Sequence, residues 1–229
     1  WPCSVHRFPD ADPVHAAKGA AALKFLNAGQ ACISPNRLYV PNILKSAFEE
    51  TLCGRVEKLQ TGNGMEEGIG VGPLVNDSAV VKVEQQVEDA REKGAGVPVG
   101  GVRLTGGEHA NGHFFAPTVL TNVQPHMTIY REETFGPVAP VIGYDDADEV
   151  IELANDTNYG LAAYVYTRDI AVAMRAFEQL RFGIIGINDV NPTSASVPFG
   201  GMGDSGIGRE GGHEGISEYL ETKTGGFAI

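Results

Sequence analysis

Lys24-Phe25-Leu26-Asn27-Ala28-Gly29-Gln30-Ala31-Cys32 closes an Ala-rich run, and the elements on either side of it set the architecture. Upstream, Val14 to Leu26 predicts a helix whose small residues Ala16, Ala17, Ala20 and Ala21 permit close packing. Asp12 can cap that helix, and Pro13 suits its first position, where a missing N–H costs nothing. Downstream, Arg37 to Val40 predicts a short strand. Asn42 can cap a second helix, Ile43 to Leu59, with Leu44, Phe48, Leu52 and Val56 spaced four apart.

The alternation continues. Asp77 to Lys93 predicts an amphipathic helix with Val80, Val83, Val87 and Ala90 inward and Gly94 as its stop. Val97 to Leu104, Phe114 to Leu120 and Val138 to Ile142 read as strands. Asp146 and Glu149 have capping-box spacing for a helix ending at Asn155. Ala162 to Tyr166 is strand-like. Asp169 opens a helix with Ile170, Met174, Phe177 and Leu180 on one face, and Phe182 to Ile187 is a further strand. Arg209 to Tyr219 predicts a last helix and Glu221 to Ile229 an extended tail, while Trp1 to Arg7 carries no pattern. Strands alternating with helices predict an α/β fold with a largely parallel sheet and flanking helices. In such sheets the loops that carry chemistry gather at the C-terminal ends of the strands.

Composition excludes several classes. A net charge of −12 argues against a nucleic-acid partner, because phosphate binding needs clustered Lys and Arg. No apolar run approaches the ~18 residues needed to span a bilayer, so no membrane partner is expected. Trp1-Pro2-Cys3 does not read as a secretory leader. Cys3, Cys32 and Cys53 are sparse and odd in number, so reduced thiols and a cytoplasmic location are expected. His109 and His113 have no third ligand nearby and lie in a Gly/Asn loop, which predicts a solvated loop and no metal site. Gly62-Asn63-Gly64 follows no strand and precedes no Gly-Lys-Ser/Thr, so it is not a phosphate cradle.

A cysteine just past a glycine, among small and polar residues, can sit at a cleft; read alone, a lone cysteine is most often a small buried hydrophobe. Cys53, inside the second helix, reads as packing. Two later segments bear on Cys32. Glu132-Glu133-Thr134-Phe135-Gly136-Pro137-Val138 sets a carboxylate two residues from an aromatic, ahead of Gly-Pro. Pro198-Phe199-Gly200-Gly201-Met202-Gly203-Asp204-Ser205-Gly206-Ile207-Gly208-Arg209-Glu210 is a glycine-dense loop. With Gly29-Gln30-Ala31-Cys32, in this order, they resemble the aldehyde dehydrogenase superfamily. The resemblance runs from about Phe8 to the C-terminal end and is closest to the succinate-semialdehyde dehydrogenase branch.

The resemblance implies a catalytic-domain fold, a small-molecule aldehyde as substrate and NAD or NADP as cofactor. It makes Cys32 the nucleophile, its backbone N–H an oxyanion donor, and the chemistry a thiohemiacetal followed by a thioester. It implies that Glu133 bonds the nicotinamide ribose and that Phe135 packs beside the ring. Phe199 would wall the aldehyde pocket, with Thr193 and Ser194 in the substrate loop and Ser194 the nearest match to a serine that holds a distal carboxylate. Leu26 departs from that branch, which carries an arginine there; a bidentate carboxylate clamp is therefore missing.

The resemblance also implies what these residues lack. The dinucleotide-binding domain, an oxyanion Asn and a Glu general base would precede position 1. Residues 1–220 are then expected to be the catalytic domain and 221–229 an oligomerisation tail that pairs with a neighbouring subunit, as in a homo-oligomer. On its own the chain is expected not to turn over with NAD(P). Two other classes stay open: a cofactor-independent thiol esterase, which needs a histidine near Cys32, and a non-catalytic assembly domain.

Overall fold

The computed structural model describes residues 3–229; Trp1 and Pro2 lie outside the described residues. The chain begins with strand β1 (Cys3–Arg7), in the stretch where the sequence carries no pattern. Helix α1 (Pro13–Lys24) follows, with Asp12 accepting from the Val14 and His15 N–H groups, as the cap reading expects. A short left-handed turn, Leu26–Gly29, leads to strand β2 (Pro35–Pro41) and helix α2 (Asn42–Val56). Asn42 is not the cap of α2: Pro41 occupies that position, and the Asn42 amide donates instead to Asp145 Oδ1 at 2.9 Å.

Two short strands, β3 (Gln60–Thr61) and β4 (Ile69–Val71), precede helix α3 (Asp77–Glu92), capped by Asn76. Val80, Val83, Val87 and Ala90 are all buried, as their spacing predicts. Two expected strands are each broken in two. The first becomes β5 (Gly96–Val99) and β6 (Arg103–Leu104), interrupted where Gly100 and Gly101 adopt φ of 73° and 79°. The second becomes β7 (Phe114–Phe115) and β8 (Thr118–Thr121), interrupted at Pro117, which cannot donate to a ladder.

Then come α4 (Thr128–Arg131), β9 (Val138–Tyr144), α5 (Ala147–Asn155), β10 (Tyr159–Gly160), β11 (Ala162–Tyr166), α6 (Ile170–Gln179), β12 (Ile184–Ile187) and β13 (Met202–Gly203). The principal sheet has seven strands in the order β12-β11-β1-β2-β9-β8-β5. Every pairing in it is parallel except β5 with β8. This is the expected α/β architecture. All seven residues of β2 and all five of β11 are buried, as strands covered on both faces must be.

Two helix expectations fail. On α6, Ile170, Met174 and Phe177 are exposed, while Leu180, just past its end, is buried as expected; the helix turns Ala173 and Ala176 inward. Small residues there let the helix axis approach the sheet. The predicted helix over Arg209 to Tyr219 is only a 3-10 segment, Glu214–Tyr219. Gly211 and Gly212 hold φ of 65° and 60°, and the Glu210 backbone pairs with Phe199 in both directions at 2.7 and 2.8 Å. A residue committed to that bridge cannot join a helix.

One buried charge ties the centre together. The Arg37 guanidinium lies over the rings of Tyr39 and Tyr130, 5.8 and 5.4 Å from their centroids. It donates to the carbonyls of Leu153, Ala154 and Asp156, so a cation closes the C-terminal end of α5.

Candidate active site

Cys32 enters its position through an unusual turn. Asn27, Ala28 and Gly29 have φ of 50°, 56° and 75°, three consecutive left-handed residues of which only one is glycine. The turn reverses the chain between α1 and β2 and leaves Cys32 half-buried against the core. Around it, Ser34 Oγ donates to the Lys24 carbonyl at 3.3 Å, and Tyr164 Oη donates to the Ile33 carbonyl at 3.2 Å.

The Glu133/Phe135 turn touches this one directly. A Cβ added at Gly29 would lie 2.1 Å from the Gly136 carbonyl oxygen, so the two backbones meet with no room for a side chain. The second turn is held by Asn36. Its amide donates to the carbonyls of Ile129 and Glu132 at 3.2 and 2.8 Å and its oxygen accepts the Thr134 N–H at 3.0 Å. Glu133 is half-buried, while Phe135 is 38% exposed at φ 51°, an aromatic presented outward by a left-handed backbone.

Cys32 also lines a cavity of about 790 Å³. Its wall also includes Phe199, Leu161, most of the glycines of the 200–212 loop, Arg209, Glu210, Ile216, Glu218 and Tyr219. Cys32 and Phe199 therefore share one space, and the Glu133/Phe135 turn borders the cysteine turn. Thr193 and Ser194 are not in this wall; the Ser194 hydroxyl is exposed and pairs with that of Ser196 at 2.9 Å. Among the described residues no histidine lines the cavity; His15 stands edge-on to Tyr166, ring centroids 5.6 Å apart.

Cys32 and Cys53 form no disulfide. On α2, burial pushes the Cys53 thiol up, and Glu49 and Glu57 push it further, so it is a poor thiolate former. Among the described residues no cluster of three His, Cys, Asp or Glu could hold a metal, and no helix is long and apolar enough to cross a membrane. The sequence reading quoted Gln30 within the cysteine motif without giving it a role, and it did not single out Asn36; the partners that reveal their roles, Pro73 and Val75 for Gln30 and Ile129, Glu132 and Thr134 for Asn36, lie far along the chain.

The aldehyde dehydrogenase family model matches residues 5–225. The aspartate-semialdehyde dehydrogenase (non-phosphorylating) of Halomonas elongata is 48% identical over 94% of this chain and 43% of its own length. The NADP(+) succinate-semialdehyde dehydrogenase GabD of Escherichia coli K12 is 47% identical over 94% of this chain and 44% of its own length. Among solved structures, succinate-semialdehyde dehydrogenase from Burkholderia pseudomallei superposes with a TM-score of 0.90 at 45% identity, covering 95% of this chain and 45% of that one. Betaine aldehyde dehydrogenase from Staphylococcus aureus, solved with NAD+, superposes with a TM-score of 0.91 at 41% identity, over 96% and 44% of the two chains. This chain spans less than half the length of these relatives. With a family match over nearly its whole length and an agreeing fold, the chain belongs to the aldehyde dehydrogenase family.

Proposed function

We propose that these residues form the cysteine-bearing catalytic portion of an NAD(P)-dependent aldehyde dehydrogenase. The observation that carries the reading is the convergence on Cys32. Its turn meets the Glu133/Phe135 turn at Gly29, and its side chain shares a cavity with Phe199.

In this reading the Cys32 thiolate attacks the aldehyde carbon, and its own N–H donates to the oxygen that becomes an oxyanion. The thiohemiacetal is oxidised to a thioester, which water then cleaves to the acid. The groups present fit the nicotinamide end of the cofactor. Glu133 supplies an acceptor for ribose hydroxyls, and Phe135 offers an outward apolar face for the ring. NAD(P) bound there would accept the hydride lost by the thiohemiacetal carbon. Phe199 bounds the aldehyde side and limits water access.

Several relatives bear names of semialdehyde dehydrogenases. That favours an aldehyde with a second polar end, succinate semialdehyde among them. Ser194 is the residue proposed to meet that end, with Thr193 beside it. Leu26, 56% exposed at the start of the cysteine turn, offers no charge to a carboxylate. The tail from Glu221 to Ile229 is exposed throughout, and we assign it to pairing with a second copy.

The 229 residues alone are expected not to oxidise aldehydes at an enzyme's rate. Where a side-chain oxyanion donor is not supplied the cost is about 10²–10³-fold, and where a general base is not supplied about 10²–10⁴-fold. The test is a spectrophotometric NAD(P)H assay with succinate semialdehyde, run beside a p-nitrophenyl ester assay on the chain and its Cys32→Ala variant. Slow ester cleavage lost in Cys32→Ala, with negligible NAD(P)H formation, is the expected pair of results. Ester cleavage that survives Cys32→Ala would remove the thiol from the mechanism, and full NAD(P)H turnover would overturn the inactivity.

A further inference from the structure

We propose that Gln30 is a positioning residue for Cys32, acting as a clamp between the cysteine turn and the loop that follows β4. The proposal rests on reading Cys32 as the nucleophile. Gln30 is half-buried, and both ends of its amide are engaged. Nε2 donates to the Asn27 carbonyl at 3.1 Å and to the Pro73 carbonyl at 3.2 Å. Oε1 accepts the Val75 N–H at 2.9 Å. The partners in the loop are 43 and 45 residues away in sequence, so this contact is tertiary.

The turn requires such a restraint. Asn27 and Ala28 hold left-handed φ angles, a conformation that Asn tolerates, that is unfavourable for Ala and that persists there only when the surroundings over-determine it. Gln30 bonds the carbonyl of the first strained residue twice, through its own N–H at 3.1 Å and through Nε2. Asn27 returns a bond from Nδ2 to the Gln30 carbonyl at 3.0 Å. On the other side, Gly29 is stopped by the Gly136 carbonyl. The turn is thus gripped between the 73–75 loop and the Glu133/Phe135 turn, and Cys32 lies two residues beyond the grip. Only a side chain with a donor and an acceptor at that reach can bond a carbonyl and an N–H of one loop together. Glutamate cannot donate once ionised, and alanine does neither.

The test uses the full chain and compares Cys32 with Cys53, which sits on α2 and serves as the internal reference. Iodoacetamide modification of each thiol is followed by peptide mapping. Gln30→Ala is expected to raise the Cys32-to-Cys53 rate ratio about three- to tenfold, the population change that follows from losing one net hydrogen bond. Hydrogen exchange at the Val75 amide should accelerate in parallel. Gln30→Glu supplies the second arm, should Gln30→Ala fail to fold. Followed with a dipyridyl disulfide that reacts in acid, its thiol ratio should move toward wild type below about pH 4, where the carboxyl has one O–H to donate in place of the amide's two. The ratio should depart above about pH 6, where it cannot. A reactive Cys32 whose ratio ignores both variants, with Val75 exchange accelerated, overturns the clamp alone. A Cys32 inert in the wild-type chain overturns the nucleophile reading and, with it, the purpose of the clamp.

Discussion

Gly29 is the residue on which the two candidate turns converge, at φ 75° and with no space for a Cβ beside the Gly136 oxygen. Gly29→Ala is therefore expected to cost about 2–4 kcal/mol, left-handed strain and overpacking together. A urea titration should register it as a lower midpoint at unchanged slope. Asp10 makes a different kind of prediction. Burial raises its carboxyl, but donation from the Arg168 N–H, the Thr167 hydroxyl and the Asp169 N–H outweighs that, leaving it below its usual 3.8. A folded-state value below the unfolded one stabilises the fold above the unfolded value, and this contribution is lost as pH falls through the folded one. Asp10→Asn should thus lower stability at neutral pH and flatten the decline below about pH 4. Acid-titrated thermal melts would check it; parallel curves would refute the linkage. Residue identity made Cys32, Glu133 and Phe199 legible as a set, since each stands in an ordered motif. Gln30 was legible as a member of the cysteine motif, but neither its role nor that of Asn36 was, because what distinguishes them is the backbone they grip elsewhere.

At the scale of elements, local chemistry was decisive wherever it was unambiguous. Asp12 with Pro13 opens α1, and the valine spacing of α3 names its buried face. α6 shows where such reasoning stops. Its apolar residues and its alanines both recur at helical spacing, so the pattern permits either face to be inward. The sheet takes the alanine face, since a helix crossing β11 closely leaves no volume for Phe177. Replacing Phe177 by Ser should consequently change stability within about 0.5 kcal/mol. Ala176→Leu, at a fully buried position, should cost about 1–3 kcal/mol. Equilibrium unfolding of the two variants distinguishes the faces; the reverse order would restore the face expected from sequence.

At the scale of the molecule, the sheet ends on β12, which among the described residues pairs only with β11. An unpaired edge invites another strand. The chain's own tail joins no strand and is exposed, with Phe227 at 91% and Ile229 at 119%. If the tail joins two copies, removing residues 221–229 should reduce the light-scattering mass to that of a monomer and leave the far-ultraviolet spectrum nearly unchanged. A full-length chain that is already monomeric at the same concentration would dismiss the role of the tail.

From its residues alone, this chain could be read as an α/β protein with a parallel sheet and as a resemblance to one enzyme family. Both follow from short-range patterns: periodicity, caps and motifs that lie within a few residues of one another. Tertiary structure alone decided that β1 lies inside the sheet, between β11 and β2, that the last expected helix gives way to a glycine turn, and that the two candidate turns touch. Those outcomes depend on which distant segments compete for the same volume and the same backbone hydrogen bonds, and no local window contains that competition.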